Sequence, residues 1–259
     1  MSAYQNLLVD RVPEGVATVT LNRPDRRNTL SLQLRAELRS VVAALEADPA
    51  VHVLVLTGAG DAFCAGLELA EWGAPGVAPA AAAYELDAVA ALLGFTGPII
   101  GAVNGPAVTG GLELALACDL LVASTVASFC DSHALVGLLP GWGGSVRLAR
   151  RVGLARAKEL ALTGRFLGAA EAERWGLVNY VVPPEQLLPW AHALASQMLA
   201  AAPGSLRAYK RLLDDEDART FGEAVALERR ASLAANPGVA REELEARLLR
   251  VRARRPRRG

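Results

Sequence analysis

The stretch from Asn104 to Asp119, NGPAVTGGLELALACD, decides how we expect this chain to fold. It follows the run Pro98–Val103, which is short, apolar and typical of a buried strand. Its own second half is a nearly continuous apolar run that favours a buried helix, and Gly110 and Gly111 fall where that helix should begin. The first N–H groups of a helix have no partner within it, and glycines allow a ligand oxygen to approach them closely. The pattern predicts a strand, a glycine-rich loop and a helix whose start can bind an oxygen atom.

Glu113 is the residue that interrupts the apolar run after these glycines. Its carboxylate should lie within one turn of the N–H groups at the helix start. A carboxylate beside an oxygen-binding pocket can act as a general acid or base. The same position also suits a glutamate that only stabilises the start of the helix. The residues alone leave both interpretations open.

Length and composition indicate one large domain, or one domain with a small appendage, in a chain of 259 residues. The formal net charge is zero, so no global field attracts nucleic acid or a membrane surface. We expect no signal peptide and no membrane span, because charged residues interrupt the early apolar residues and no apolar run is long enough. Three cysteines without CxxC spacing favour a reducing cytoplasm.

The first half of the chain alternates strand and helix patterns. Tyr4–Arg11 and Val16–Leu21 read as a hairpin, and Ser31 can cap a helix that runs to about Asp48. A second loop with glycines, Thr57–Leu69, follows the next apolar strand and offers another backbone N–H after Gly66. An alanine-rich helix is predicted over Pro79–Leu93.

The second half contains one segment with polar side chains of interest. Ser128–His133 reads as an extended segment, and alternation would place Asp131 and His133 on the same face. From Pro203 onward only helix patterns occur, which we expect over Pro203–Asp215, Phe221–Ala235 and Gly238–Arg254. This helical end reads as an appended module with a basic tail, which is usually solvated.

These residues together resemble the crotonase (enoyl-CoA hydratase/isomerase) family over nearly the whole chain. The resemblance is strong because the motifs occur in order and at matching spacing. The stretches that carry it are Leu21–Pro24 with Asn28, Leu56–Gly58, Ala62–Gly66, Ala102–Gly105, Gly110–Leu114, Cys118–Asp119, Gly137–Pro140 with Gly143–Gly144, and Leu162–Gly164 followed by Gly176–Val178.

The resemblance implies an α/β fold, a crotonase-like spiral of ββα units with a C-terminal all-helical oligomerisation region. We place the core, which binds the CoA thioester, at residues 1–200 and the helical trimerisation region at 201–259. The implied assembly is a homotrimer or a hexamer made of two trimers. The implied substrate is an acyl-CoA thioester, so that coenzyme A is part of the substrate and no separate cofactor is expected.

The resemblance also implies which residues form the site. The backbone N–H groups of Leu67 and Gly110 would form the oxyanion hole for the thioester oxygen. Other residues are expected to contact the substrate or its CoA moiety: Arg23, Arg26, Arg27, Ala65, Gly66, Glu68, Gly111, Trp142 and Arg252. Trp142 suits either the acyl pocket or packing alone. Scattered histidines and the absence of HExxH-like spacing argue against a catalytic metal.

The chain departs from the family pattern at one catalytic position. Hydratases of the family use two catalytic glutamates. The first corresponds to Glu113, but the position of the second is occupied by His133 in this chain. An imidazole can donate or accept a proton near neutral pH, and Asp131 could orient it or raise its pKa. The alternative is that His133 only shapes the pocket while Glu113 works alone.

We therefore expect an enoyl-CoA hydratase-like lyase in which Glu113 is the main base, His133 its acid/base partner and Asp131 the residue that orients His133. The first alternative is another reaction through the same enolate, either double-bond isomerisation or hydrolysis. The second is a non-catalytic protein that binds CoA thioesters or RNA. Retention of Glu113 argues against loss of catalysis, and the neutral net charge argues against strong binding of nucleic acid.

Overall fold

A computed structural model of the chain describes residues 4–12, 15–71, 86–217 and 219–235. Within these residues the strands form a six-stranded sheet of order β1-β2-β3-β4-β6-β9 and a three-stranded sheet of order β5-β7-β8. The strands are β1 Leu7–Val12, β2 Val16–Leu21, β3 Val53–Gly58, β4 Ile99–Val103, β5 Pro106–Val108, β6 Leu120–Ser124, β7 Ser128–Cys130, β8 Leu167–Gly168 and β9 Tyr180–Val182.

Helices alternate with these strands along the chain and form its last described part. They are α1 Leu32–Glu46, α2 Ala88–Leu93, α3 Gly110–Leu116, α4 Gly144–Val152, α5 Leu154–Thr163, α6 Ala169–Trp175, α7 Leu187–Leu199, α8 Pro203–Asp217 and α9 Phe221–Ala235. Short 3₁₀ turns occur at Pro24–Arg26, Leu69–Glu71, Ala134–Val136 and Pro184–Gln186. The chain divides into two compact units, and the boundary falls between Arg207 and Ala208. In the part of the chain that the structure describes, no helix is long and apolar enough to cross a bilayer.

The large sheet is buried on both faces. After the antiparallel β1–β2 hairpin its strands run parallel, and parallel strands covered on both sides have continuous apolar sequences, as β3 and β4 do. Helix α7 covers one face through Leu187, Ala191 and Ala195. The larger core lies on the other face, against α1, α2 and α3. The mixed α/β fold predicted from the sequence is confirmed by the helices and the two sheets of the described residues.

Most predicted elements occur close to their expected bounds. The hairpin, the strand after Pro98 and the helix after Gly110 are all present. Ser31 caps α1 by accepting a hydrogen bond from the Leu34 N–H at 3.2 Å. Of the helix predicted over Pro79–Leu93, the described residues contain α2. The helix predicted over Gly238–Arg254 lies outside the described residues.

Two predictions near the site were wrong. Residues 106–108 were expected in a loop, but they form β5, which pairs with β7 and forms a bridge to Cys64. The extended segment expected over Ser128–His133 ends at Cys130, and His133 has right-handed helical dihedrals. Both errors have one cause: three-residue strands are too short to produce a readable period and depend on tertiary pairing.

Candidate active site

The site lies where two glycine-containing loops meet beside the start of α3. The loop after β3 crosses close to the chain entering α3, since Val108 N–H donates to Cys64 O at 2.9 Å. A Cβ atom at Gly111 would lie 2.0 Å from Cys64 O, so only glycine permits this approach. Asn28 holds the same loop by donating hydrogen bonds from its side-chain amide to Ala59 O and Ala62 O.

The backbone nitrogens of Leu67 and Gly110, predicted as oxyanion donors, lie next to each other. A Cβ atom on Gly110 would lie 3.6 Å from the Leu67 nitrogen, and one on Gly66 would lie 3.7 Å from the Gly110 nitrogen. Gly66 has φ +100°, a conformation that suits glycine. Neither N–H donates a hydrogen bond to a described residue. The two N–H groups are therefore available to donate to a ligand oxygen.

The Glu113 side chain is buried on the same short helix, with 4% of its surface exposed. Its Oε1 accepts hydrogen bonds from the N–H groups of Trp142 at 2.9 Å and Gly144 at 3.0 Å. Position 144 has to be small, because a Cβ atom there would lie 2.8 Å from Glu113 Cγ. The loop before α4 thus fixes one carboxylate oxygen and leaves Oε2 for other contacts.

Oε2 of Glu113 faces His133. The distance from Oε2 to His133 Nε2 is 3.7 Å, and the other ring nitrogen, Nδ1, lies 2.7 Å from Asp131 Oδ1. The His133 backbone N–H also donates to Asp131 Oδ1, at 3.2 Å. All three side chains are buried. Asp131 and His133 therefore lie together, as strand alternation predicts. The turn after β7 brings them into contact, and not an extended strand.

The surroundings shift the pKa values of Glu113 and Asp131 in opposite directions. Burial raises the pKa of Glu113, although the N–H groups of Trp142 and Gly144 and the nearby His133 act against it. Burial acts in the same sense on Asp131, but the hydrogen bonds from His133 outweigh it and hold the pKa of Asp131 below its usual range. The lowered pKa favours the ionised form of Asp131, and the raised pKa brings Glu113 closer to proton exchange near neutral pH.

The 2.7 Å contact between His133 Nδ1 and Asp131 Oδ1 favours one tautomer of the histidine. An ionised carboxylate can only accept, so Nδ1 of His133 carries the hydrogen that is donated to Asp131. In the neutral ring Nε2 then presents a lone pair toward Glu113 Oε2. Two acceptors 3.7 Å apart can both bind the hydrogens of one water molecule.

Trp142 forms one side of the site. Its ring is buried, and its Cζ3 atom would lie 3.3 Å from a Cβ atom on Gly110. The guanidinium carbon of Arg35, itself buried on α1, lies 5.8 Å from the centroid of the indole. Arg147 donates to the Trp142 carbonyl oxygen at 2.7 Å. Backbone and ring are both anchored, which makes Trp142 a fixed wall beside Gly110.

The residues expected to bind the CoA moiety have different surroundings. Arg23 and Glu68 form an ion pair at 3.2 Å, and Thr29 donates to Glu68 at 2.9 Å, so both predicted side chains already contact protein. Arg26 and Arg27 are exposed near this pair. Arg252 lies outside the described residues.

Sequence reasoning missed the donors that hold Glu113. The N–H groups of Trp142 and Gly144 are far from Glu113 in the chain, and backbone donors leave no side-chain signature. The pair Gly143–Gly144 was a usable signal, because glycines often mark the close approach of other atoms to the backbone. Among the described residues, no cluster of three or more His, Cys, Asp or Glu side chains could hold a metal ion.

Comparison with known proteins gives consistent matches over most of the chain. A family model described as enoyl-CoA hydratase/isomerase matches residues 11–236. A probable enoyl-CoA hydratase of Mycobacterium bovis is 38% identical over 227 residues, 88% of each chain. A crotonyl-CoA hydratase of Syntrophomonas wolfei is 35% identical over 239 residues, which cover 87% of this chain and 88% of that protein. The crystal structure of an enoyl-CoA hydratase from Bacillus anthracis matches with a TM-score of 0.89, 32% identity and 98% of both chains covered.

Proposed function

This chain belongs to the enoyl-CoA hydratase/isomerase family and is a hydro-lyase, and we propose that Glu113 and His133 are the acid/base pair with which it hydrates a 2-enoyl-CoA. The observation that carries this proposal is the 3.7 Å separation of Glu113 Oε2 and His133 Nε2. A hydrogen bond to the atom that faces away from the pair fixes each group. Oε1 of Glu113 accepts from two backbone N–H groups, and Nδ1 of His133 contacts Asp131. The pair replaces two carboxylates with one carboxylate and one imidazole.

The nucleophilic water would lie between these two groups. It donates one hydrogen to Glu113 Oε2 and the other to His133 Nε2, which leaves an oxygen lone pair directed at C3 of the substrate. Burial strengthens Glu113 as a base by raising its pKa. Asp131 keeps Nε2 as an acceptor by holding the ring hydrogen on Nδ1.

Addition then proceeds with a balanced transfer of atoms. The water oxygen bonds to C3 as Glu113 takes one of its protons, and the second hydrogen, held by His133, stays on the new hydroxyl group. The electrons of the double bond move into the thioester and form an enolate. Glu113 then passes the proton it has taken to Nε2 of the adjacent His133. His133 delivers this proton to C2, which gives a 3-hydroxyacyl-CoA and restores both groups. Dehydration is the same path in reverse.

The enolate oxygen would bind to the N–H groups of Leu67 and Gly110. Fixed donors aimed at developing charge need no reorganisation, and each is worth roughly 3–4 kcal/mol in comparable sites. The adjacency of these two nitrogens supports the assignment. The exposed Arg26 and Arg27 would meet the CoA phosphates, while Arg23 and Glu68 would shape the entrance as an ion pair.

We further propose that residues 201–259 form the oligomerisation region of a homotrimer or of a dimer of trimers. Large apolar side chains exposed on this part of the chain support it, since such surfaces mark interfaces. They include Tyr209, Leu213, Phe221, Val225 and Leu233. Light scattering on the purified protein would give the subunit number, and a monomer would contradict the proposal.

The test of the proposed reaction is product analysis in deuterium oxide. With crotonyl-CoA we expect 3-hydroxybutyryl-CoA that carries one deuterium on C2. Release of free CoA would instead indicate hydrolysis. A reaction confined to 3-enoyl-CoA would indicate isomerisation, and either result would refute hydration as the main activity.

A further inference from the structure

Thr109, the residue before the proposed oxyanion donor Gly110, has an unusual backbone. Its dihedrals are φ 52° and ψ −109°. Residues other than glycine rarely adopt this combination of φ and ψ, and a β-branched residue is among the least suited to it. Such a conformation persists only where the surroundings hold it, and it concentrates at functional sites.

Each polar group of Thr109 takes part in a hydrogen bond with a neighbouring residue. Its Oγ1 lies 2.5 Å from Ser132 Oγ, and its N–H donates to Cys130 O at 2.8 Å. Its carbonyl oxygen accepts from the Glu113 N–H at 3.0 Å. The side-chain bond to Ser132 is the one that sequence changes can remove without altering the main chain.

The conformation of Thr109 sets the direction of the Gly110 N–H. The peptide group between the two residues is planar, so its orientation follows the ψ angle of Thr109. Relaxation of ψ toward a common value would rotate the Gly110 N–H away from its position beside Leu67. Ser132 lies between Asp131 and His133 in the chain, so the same hydroxyl pair joins this donor to the segment that carries the imidazole.

We propose that Thr109 and Ser132 are positioning residues whose hydroxyl–hydroxyl hydrogen bond aims the Gly110 N–H at the thioester oxygen and fixes it relative to His133. This role rests on the proposed function, because it assumes that Gly110 N–H polarises a thioester carbonyl. It goes beyond that function by assigning a task to two side chains that do not touch the reacting atoms.

Four substitutions separate this role from ordinary packing. Thr109→Val keeps the shape and removes the hydroxyl group, and Ser132→Ala removes its partner. Thr109→Ser keeps the hydroxyl group and should behave as the wild type. Thr109→Gly removes the need for the tether, because glycine adopts the conformation without strain. Thr163→Val, which removes an exposed hydroxyl that bonds Glu159 O on α5, is the matched control.

The readout is a 2-enoyl-CoA whose acyl group ends in an electron-donating aromatic amine. Its absorption moves to longer wavelength when the thioester carbonyl is polarised. The size of this shift in the bound complex therefore measures how well the N–H groups of Leu67 and Gly110 are directed at the thioester oxygen. We expect a smaller shift and a kcat for crotonyl-CoA about tenfold lower in Thr109→Val and in Ser132→Ala. The double variant should be no worse than either, because one bond is lost in each case.

The glycine background provides the decisive comparison. Ser132→Ala should have no further effect when position 109 is glycine, and the control Thr163→Val should resemble the wild type throughout. Additive losses, or a full shift in Ser132→Ala, would overturn the proposal. The shift is measured on binding alone, so a wild type that shifts the probe but does not hydrate crotonyl-CoA would refute the proposed function and leave this inference standing.

Discussion

Nε2 of His133 lies 3.7 Å from Oε2 of Glu113, although Glu113 is on helix α3 and His133 is in the turn that follows strand β7. Each side chain uses its other polar atom for a fixed contact, His133 with Asp131 and Glu113 with two backbone N–H groups. The facing atoms are therefore the ones left for water and substrate.

Asp131→Asn should lower kcat for crotonyl-CoA by about 10²-fold with little change in KM. An amide can donate to Nδ1 and so move the ring hydrogen to Nε2, where it no longer accepts from water. Steady-state kinetics would measure the change. Asp10→Asn on the exposed edge of β1 is the control, and equal kinetics for both variants would show that Asp131 does not set the tautomer.

Glu113→Gln should stabilise the fold at neutral pH. Because burial raises the pKa of Glu113 in the folded state, this group contributes stability at low pH that is lost as pH rises through its folded pKa. Each unit of raised pKa corresponds to about 1.4 kcal/mol. Thermal unfolding should give a higher Tm for the variant at pH 8 and converging values near pH 4.

The opposite pH dependence is expected from Asp131. Hydrogen bonds from His133 lower its pKa, so it contributes stability above its unfolded pKa that is lost as pH falls.

If Glu113→Gln were less stable than the wild type at pH 8, the raised pKa of Glu113 would be wrong.

Gly144→Ala should lower kcat by about 10²-fold, because the new methyl group would lie 2.8 Å from Glu113 Cγ and displace the carboxylate. The matched control is Gly168→Ala, where nothing lies within 4 Å of the new methyl group. Kinetics of the two variants would be compared at equal folded fraction. Equal activity would mean that the position of Glu113 is not critical.

Trp142→Leu should shift the preference toward longer acyl groups. The anchored indole lies against Gly110, so a smaller side chain opens space next to the thioester. We expect the ratio of kcat/KM for 2-decenoyl-CoA to that for crotonyl-CoA to rise about tenfold.

A tryptophan elsewhere in the chain serves as the control for this change. Trp175 also contacts two guanidinium groups, those of Arg156 and Arg165, but it lies outside the site. Trp175→Leu should leave the chain-length ratio unchanged. A similar shift in both variants would assign the effect to general loosening of the fold.

The sequence predicted the residues of the site better than the contacts between them. Glu113 was visible because one carboxylate interrupts an apolar run, and Gly110 because a glycine pair at the start of an apolar helix opens its first N–H groups to a ligand oxygen. Asp131 and His133 were correctly expected to lie together, yet the reason was wrong, since a turn and not a strand brings them into contact.

The missed features all depend on long-range geometry. The N–H groups of Trp142 and Gly144 meet Glu113 only after the chain has folded, and a backbone donor looks the same in every sequence. The conformation of Thr109 is equally invisible, because threonine is an ordinary loop residue until its φ and ψ are known. Short strands β5 and β8 form by pairing and have no period of their own.

The most direct test of the Glu113–His133 pair is the rate at which His133→Gln removes the conjugated-thioester absorbance of crotonyl-CoA. Glutamine can still accept a hydrogen bond from water but cannot exchange a proton at neutral pH. We predict a kcat at least about 10²-fold below that of the wild type, with KM changed by less than about threefold. A kcat within about threefold of the wild type would show that Glu113 works alone and that His133 only shapes the pocket.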